Sequence, residues 1–246
     1  MNGESLGDRL ARLAALAEPA RRRLYDFVVH QKEPVSRDEA AAGIGVARHV
    51  AKFHLDRLVA SGLLDVEYRR PPGRGGPGAG RPTKLYRRSA QALEVSVPQR
   101  RYDLAGRLLA EAVTEAERSG TPLAEALSQA AHTAGFELGR EARRRAGPRA
   151  ARSAVLAEGQ ASLEDQGFEP SLDSSGLTLR NCPFDVLAKG YTELVCGMNF
   201  DFMRGLVAGL ELGNVTAQLE PRPGLCCVRL CTEDRKTGGR AATAAS

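Results

Sequence analysis

A chain of 246 residues has room for more than one folding unit, and 42% hydrophobic residues are enough to bury a core. No apolar run approaches the roughly 20 residues of a membrane span, and the opening MNGESLGDRL lacks the basic-then-apolar pattern of a signal peptide, so a cytoplasmic protein with no membrane partner is expected. The net charge of +5 asks for an acidic partner, and its distribution is uneven. Residues 1–90 hold 17 basic against 10 acidic side chains, whereas the remainder holds 18 against 20. All five cysteines (Cys182, Cys196, Cys226, Cys227, Cys231) lie in the C-terminal third. In a cytoplasmic chain they read as free thiols or metal ligands rather than disulfides.

Ser5 with Asp8 three residues on gives a capping-box-like start, and Leu6, Leu10, Leu13 and Ala17 continue at helical spacing. Pro19 suits the first turn of a second helix, whose apolar stripe is Leu24, Phe27 and Val28. Ser36 and Glu39 form a capping box for a short third helix that ends near Gly43-Ile44-Gly45. A fourth helix runs from about Ala47 to Ser61, with Gly62 as its stop. Its core face is Ala51, Leu55 and Leu58, and Arg48, His49 and Lys52 point outward near its start. His54 reads as a packed or capping residue rather than a base reader. A short helix, a tight turn and a longer helix with outward polar residues suit entry into a DNA major groove.

Leu64, Val66 and Tyr68 alternate with Asp65, Glu67 and Arg69, a strand pattern, and Thr83–Arg88 reads as the returning strand. Between them, nine of the 13 residues from Arg70 to Pro82 are Gly or Pro. From Tyr68 to Ala90 there are seven cations (Arg69, Arg70, Arg74, Arg81, Lys84, Arg87, Arg88) and no acidic residue. A basic Gly/Pro loop alone is equally a linker. On a hairpin behind three helices it suits phosphates or a minor groove. Double-stranded DNA is therefore the expected partner, met by Arg48, His49, Lys52, Arg69, Arg70, Arg74, Arg81 and Lys84.

The segment RHVAKFHLDRLVASGLLDVEYRR, with GRPTKLYRRS after it, resembles the winged helix-turn-helix of ArsR-like bacterial regulators over roughly residues 17–90. The resemblance implies that the helix bearing Arg48, His49 and Lys52 lies in the major groove and that the wing lies on the backbone. Phe53 stands where a polar residue is common in that family.

Tyr102, Ala105, Leu109, Ala112 and Ala116 mark a fifth helix; Thr121 as cap and Pro122 in the first turn start a sixth, through Leu123, Leu127, Ala130, Ala134 and Leu138. The cations Arg140 to Arg145 suit its C-terminal dipole, and Gly147-Pro148 ends it. Two amphipathic helices over 91–150 read as a connector and a homodimer interface, since half-sites are usually read by two-fold dimers.

Ala154–Gln166 reads as a helix, Phe168–Leu172 and Leu177–Arg180 as strands, Phe200–Leu212 as a helix, and Val215–Glu220 and Leu225–Leu230 as a closing strand pair around Pro221-Arg222-Pro223-Gly224. The expected architecture is α+β: a winged helix-turn-helix over 1–90, the connector over 91–150, a small sandwich-like α/β sensor over 151–232 and a disordered tail over 233–246.

There is no Cys-x-x-Cys and no histidine beyond His132, which excludes a Cys₂His₂ zinc site within this last domain. Cys182, Cys196 and Cys226 each fall at an expected element end and are placed to converge. Cys226 and Cys227, neighbours on a strand, are expected to face opposite ways. The competing reading is that free cysteines are simply small buried apolar residues. NCPF…ELVC…PGLCC is similar to the C-terminal domain of the iron–sulfur-cluster-binding repressors of the Suf operon. That resemblance implies an iron–sulfur cofactor held by Cys182, Cys196 and Cys226. Wider relatives often have histidine three residues after the first cysteine, where this chain has Asp185. Asp185, Glu193 and Cys227 are secondary ligand candidates.

The expected function is thus a DNA-binding transcriptional regulator, a repressor, sensing iron–sulfur or redox status. The alternative keeps DNA binding and gives the C-terminal domain a small-molecule pocket, with the cysteines structural. With no Ser/His/Asp or phosphate-loop signature and no closely spaced redox pair, an enzyme is not expected.

Overall fold

A computed structural model of the chain describes residues 6–70, 82–173 and 176–232. The chain divides into two compact units, Met1–Val95 and Ser96–Ser246, each with its own apolar core. Ser5, the wing tip with Arg74 and Arg81, and the expected tail at 233–246 lie outside the described residues.

The first unit runs α1 (Leu6–Ala14), a single 3-10 turn, α2 (Pro19–Val29), β1 (Val35–Ser36), α3 (Arg37–Ile44), α4 (Arg48–Ala60), β2 (Leu64–Arg69) and β3 (Thr83–Arg88). Glu18 caps α2 by accepting hydrogen bonds from the Ala20 and Arg21 N–H groups at 3.1 and 2.6 Å. Pro19 follows in the first turn, where its missing N–H costs nothing. At α3 the capping box closes both ways. The Glu39 N–H donates to Ser36 Oγ (3.2 Å), and the Ser36 N–H donates to Glu39 Oε2 (2.7 Å). Gly45 at φ 69° ends α3, and Gly62 at φ 65° turns the chain from α4 into β2. Both lie in the left-handed region that glycine enters without a Cβ penalty.

Leu24, Val28, Ala40, Ala41, Ala51, Leu55 and Leu58 close the core between the helices, with Tyr86 of β3 set into it. The strands form an antiparallel sheet in the order β1-β3-β2, with Leu64 opposite Arg88 and Arg69 opposite Thr83. β1 was not anticipated, because two residues carry no readable period; Val35 and Ser36 are strand only through pairing with Tyr86 and Leu85.

The second unit runs α5 (Tyr102–Ser119), α6 (Leu123–Ala146), α7 (Arg152–Asp165), β4 (Pro170–Asp173), β5 (Gly176–Leu179), α8 (Asp185–Gly190), α9 (Thr192–Leu210), β6 (Val215–Leu219) and β7 (Val228–Thr232). Helices pack on one antiparallel sheet of order β4-β5-β7-β6, an α+β arrangement with a single sheet rather than two facing ones. The pair α5 and α6, expected as a connector, contributes Leu104, Leu108, Ala126 and Ala131 to the same core as the sheet residues Leu177, Leu179, Val228 and Leu230. Phe168 lies at its centre, edge-on to Phe184 (6.0 Å) and stacked with Phe202 (6.4 Å).

The closest packing in this unit is the crossing of α6 and α9. A Cβ added at Gly135 or Gly139 would meet the carbonyl oxygen of Phe202 or Leu206, at 1.9 and 2.2 Å. One added at Gly205 or Gly209 would meet that of His132 or Phe136, at 2.0 and 2.3 Å. Each glycine inside a helix costs about 0.5–1 kcal/mol relative to alanine. Four are kept here because only bare backbone fits the crossing.

Several boundaries differ from the sequence expectation by a residue or two, β4 for instance starting at Pro170 rather than Phe168, and three differences matter more. α6 is capped by Pro122 rather than Thr121, since the Thr121 hydroxyl is engaged by Ser119 Oγ at 2.8 Å. α9 begins at Thr192, eight residues before Phe200, which places Cys196 inside a helix. β7 begins at Val228, not Leu225. Residues up to Cys227 are used in closing the turn: the Cys226 N–H donates to Leu179 O (2.9 Å) and the Glu220 N–H donates to Cys227 O (2.7 Å).

Candidate functional site

In the first unit α4 turns Ala51, Leu55 and Leu58 inward and leaves Arg48, His49, Lys52, Phe53 and Arg57 on its outer face. The cations do not stand alone. Arg48 grips Asp38 of α3 through both nitrogens of its fork, with Nε to Oδ1 at 2.6 Å. Lys52 Nζ reaches Asp56 Oδ2 at 3.1 Å, and Lys84 Nζ of β3 reaches Asp56 Oδ1 at 2.6 Å. The Tyr86 hydroxyl donates to the same carboxylate at 3.2 Å. Asp56 therefore ties the outward helix to the wing. The Arg48 guanidinium holds Asp38 below the usual carboxylate range. Partial burial works to raise the Asp56 carboxyl, but the Lys84 and Lys52 ammonium groups pull it below its usual value.

Arg69 and Lys84 lie at the open end of the hairpin, where Tyr68 pairs with Lys84 and Arg69 with Thr83. Arg69 bonds Glu67 at 2.8 Å, and Arg70, exposed, is the last described residue before the tip. Asp38 and Asp56 were missed in the sequence. Asp56 had a signal, the i,i+4 spacing from Lys52; Asp38 had none, because the turn brings it to Arg48. The arginines ending α6 are engaged locally. Arg140, Arg144 and Arg145 pair with Glu137, Glu141 and Glu158 at 2.7, 2.6 and 2.9 Å, and Arg143 donates to Gly147 O at 2.5 Å.

In the second unit four of the five thiols meet. Cys182 follows β5, Cys196 lies in the second turn of α9, and Cys226 and Cys227 close the turn before β7. Cys182 interacts with Cys226, Cys226 with Cys227, and Cys227 with Cys196. The expectation that Cys226 and Cys227 face apart is overturned, because strand alternation does not govern residues that precede the strand. Cys231 is on β7 proper, opposite Gly176 and Thr216.

Asn199, one turn after Cys196 and fully buried, donates from Nδ2 to Cys226 Sγ at 3.1 Å. It also interacts with Cys227. Its Oδ1 is buried with no hydrogen-bond partner among the described residues. An unpaired buried acceptor costs about 1–3 kcal/mol, a cost an apolar residue would not carry at this position. Sequence reasoning passed over Asn199; its signal was its place three residues after Cys196. Arg100 fixes the first cysteine by donating to Cys182 O (2.8 Å) and Asn181 Oδ1 (2.7 Å). Asp185 lies 2.9 Å from Lys189 and 3.8 Å from Arg100.

These contacts divide the four thiols into two kinds. Interaction with Cys226 lowers Cys227 to about 6 and also lowers Cys182. Burial pushes Cys196 up to about 12. Contact with Cys182 and Cys227, together with burial, pushes Cys226 up. The charge thus gathers on Cys182 and Cys227. Since the thiolate is the nucleophile, iodoacetamide near neutral pH should modify Cys227 before Cys196 and Cys226. Its rate should rise with pH through a midpoint near 6, read by mass spectrometry. Equal labelling of Cys227 and Cys196 across the neutral range would contradict this.

Among the described residues, no group of three or more His, Cys, Asp or Glu is arranged to hold a metal ion. The donor chemistry itself, four soft thiols and an N–H aimed at sulfur, suits iron–sulfur or other thiophilic metal binding.

Three helices, a tight turn before an outward basic helix and a two-stranded wing define the first unit as a DNA-binding winged helix-turn-helix domain. The family described as helix-turn-helix domain matches residues 16–67, from the 3-10 turn into β2. No curated protein and no solved structure matches the chain. Among the described residues no helix is long and apolar enough to cross a membrane.

Proposed function

We propose that this chain is a cytoplasmic, homodimeric transcriptional repressor whose second unit senses iron–sulfur or redox status. What carries the DNA reading is the outward basic face of α4 in a helix-turn-helix with a wing. Arg48, His49 and Lys52 approach base edges, while Arg69, Arg70 and Lys84, with Arg74 and Arg81 beyond them, approach phosphates. Selection of duplexes from a randomised library tests it. The expected result is an enriched sequence bound with a steep loss of affinity as salt rises; no enrichment and no duplex binding would overturn it.

Cys182, Cys196 and Cys226 would hold the metal group, with Cys227 in the same set of contacts. Asp185 is a poorer candidate because Lys189 and Arg100 already face its carboxylate. An iron–sulfur cluster, when bound, supplies a redox-sensitive crosslink among these residues. The chain's part is to present thiolates at Cys182 and Cys227, the remaining sulfurs losing their protons on binding, and to aim the Asn199 N–H at Cys226 Sγ. Ordering or releasing this corner then shifts the DNA affinity by a coupling of about 1–3 kcal/mol, 5–150-fold. No catalytic step is assigned.

The dimer has support in α1, where Leu6, Leu10 and Leu13 are all exposed and recur at helical spacing. A second copy of the chain would cover them. Leu10→Glu should halve the mass seen by light scattering; an unchanged mass would remove α1 from the interface. The small-molecule alternative has one observation in its favour, an open groove of about 600 Å³ lined by Leu104, Arg107, Ala130 and Phe202, within the usual range for ligand sites. Replacing Cys182, Cys196 and Cys226 together by Ser separates the readings. Unchanged regulation favours the groove, and lost regulation with DNA binding kept favours the thiols.

A further inference from the structure

Phe53 is the one large apolar side chain on the outer face of α4, and it is 55% exposed. At about 100° per residue it lies roughly opposite the stripe of Ala51, Leu55 and Leu58, so it projects directly away from the core. The side chains around it on that face are His49, Lys52, Asp56 and Arg57, with the half-buried Val50 at its edge as the one apolar neighbour. An aromatic ring among cations is a poor start for an apolar protein contact. The charge suits a polyanion instead.

The ring is also held. The Arg57 guanidinium lies 5.7 Å from its centroid. The His54 ring meets it edge-on at 5.2 Å, and His54 is itself largely buried, 3.5 Å from the Glu18 carboxylate. A ring fixed in this way loses little freedom when it binds. It has no hydrogen-bonding atom, so it cannot read a donor or an acceptor. The apolar group that the floor of a major groove offers is the 5-methyl of thymine.

Resting on the DNA-binding reading above, we infer that Phe53 is a specificity residue that seats against thymine methyl groups in the major groove, while Arg48, His49 and Lys52 supply the polar and phosphate contacts around it. The step is one of burial alone, with no bond made or broken. Covering one methyl group corresponds to about fourfold in affinity, so contact with two methyls gives more than tenfold.

The test uses the full chain. Duplexes are selected from a randomised library by the wild type. In the best of them each thymine is then replaced in turn by deoxyuridine, which removes the methyl and nothing else. The expected result is a loss of about fourfold at one or two adjacent positions. Phe53→Ala should bind the thymine and uracil duplexes equally, with an unchanged dependence on salt, and Phe53→Leu should keep part of the discrimination. Because Phe53 is a surface residue, both variants are expected to fold, which circular dichroism checks. If the selected duplex is bound but every uracil substitution is neutral, or if Phe53→Ala discriminates as the wild type does, the inference fails and the DNA reading stands. If no duplex is bound at all, both fail. If Phe53→Ala changes the mass of the DNA-free protein, the ring is a protein contact and the inference is overturned.

Discussion

Gly205→Val should unfold the second unit at temperatures where the wild type is intact. The added Cβ would sit 2.0 Å from the His132 carbonyl oxygen and 2.8 Å from both the His132 carbonyl carbon and the Phe136 nitrogen. None of these is the movable end of a side chain, so relief requires α6 and α9 to separate. Overpacking a core ordinarily costs about 1–3 kcal/mol. Here the separation would also strip Phe202, Met203 and Leu206 of their packing, so the cost should exceed about 4 kcal/mol, a large part of the 5–15 kcal/mol that keeps a typical protein folded. Thermal unfolding followed by circular dichroism reads it. Gly205→Ala should be milder than Val yet still destabilising, and Gly197→Ala on the same helix, where an added Cβ meets nothing, should be neutral or slightly stabilising. A Gly205→Val protein that melts with the wild type would mean that the crossing is not as close as described.

Arg48→Ala should weaken duplex binding more than the loss of one contact implies. A lost base-edge contact costs about 1–3 kcal/mol. The substitution also leaves Asp38, whose carboxylate Arg48 grips with both nitrogens, with Arg37 alone at 3.2 Å, so that its charge is less neutralised beside the phosphates. Restoring Asp38 to neutrality tests that second part, because Asp38→Asn with Arg48→Ala should recover some of the affinity. Lys52→Ala should behave differently. Its charge is shared with Asp56, which Lys84 also holds, so the loss should be smaller and should lower the salt slope by about one counterion. Titration by fluorescence anisotropy at several salt concentrations separates the two. Equal affinities for wild type and Arg48→Ala would remove α4 from the interface.

The first unit was legible because its signals are local. The Ser36–Glu39 capping box, the stops at Gly45 and Gly62 and the stripe Ala51, Leu55, Leu58 are each decided within a turn or two of chain, and the structure shows them all. What sequence could not supply was partners met only on folding: Asp38, which the turn brings to Arg48, and Lys84 and Tyr86 of the wing strand, which meet Asp56. The second unit was harder for the same reason. The α9 segment opens on the exposed Thr192, Glu193 and Leu194, and its buried face Val195, Met198, Asn199, Phe202 is interrupted by a polar residue, so its first turns were not recognised as helix. The three-residue displacement of β7 reversed the relation between Cys226 and Cys227. The glycine spacing of 135/139 and 205/209 was present in the sequence, but each pair acquires meaning only from the helix that crosses it.

The most direct test of the account is iron and acid-labile sulfide per chain in protein isolated without oxygen, with duplex affinity measured on the same sample before and after oxidation. The account predicts iron and sulfide in the wild type and a 5–150-fold change in affinity on oxidation. It also predicts loss of the iron, the sulfide and that change when Cys182, Cys196 and Cys226 are replaced by Ser, with DNA binding itself retained. No iron or sulfide, together with a duplex affinity indifferent to oxidation, would contradict the sensing role and leave the four thiols as part of the core.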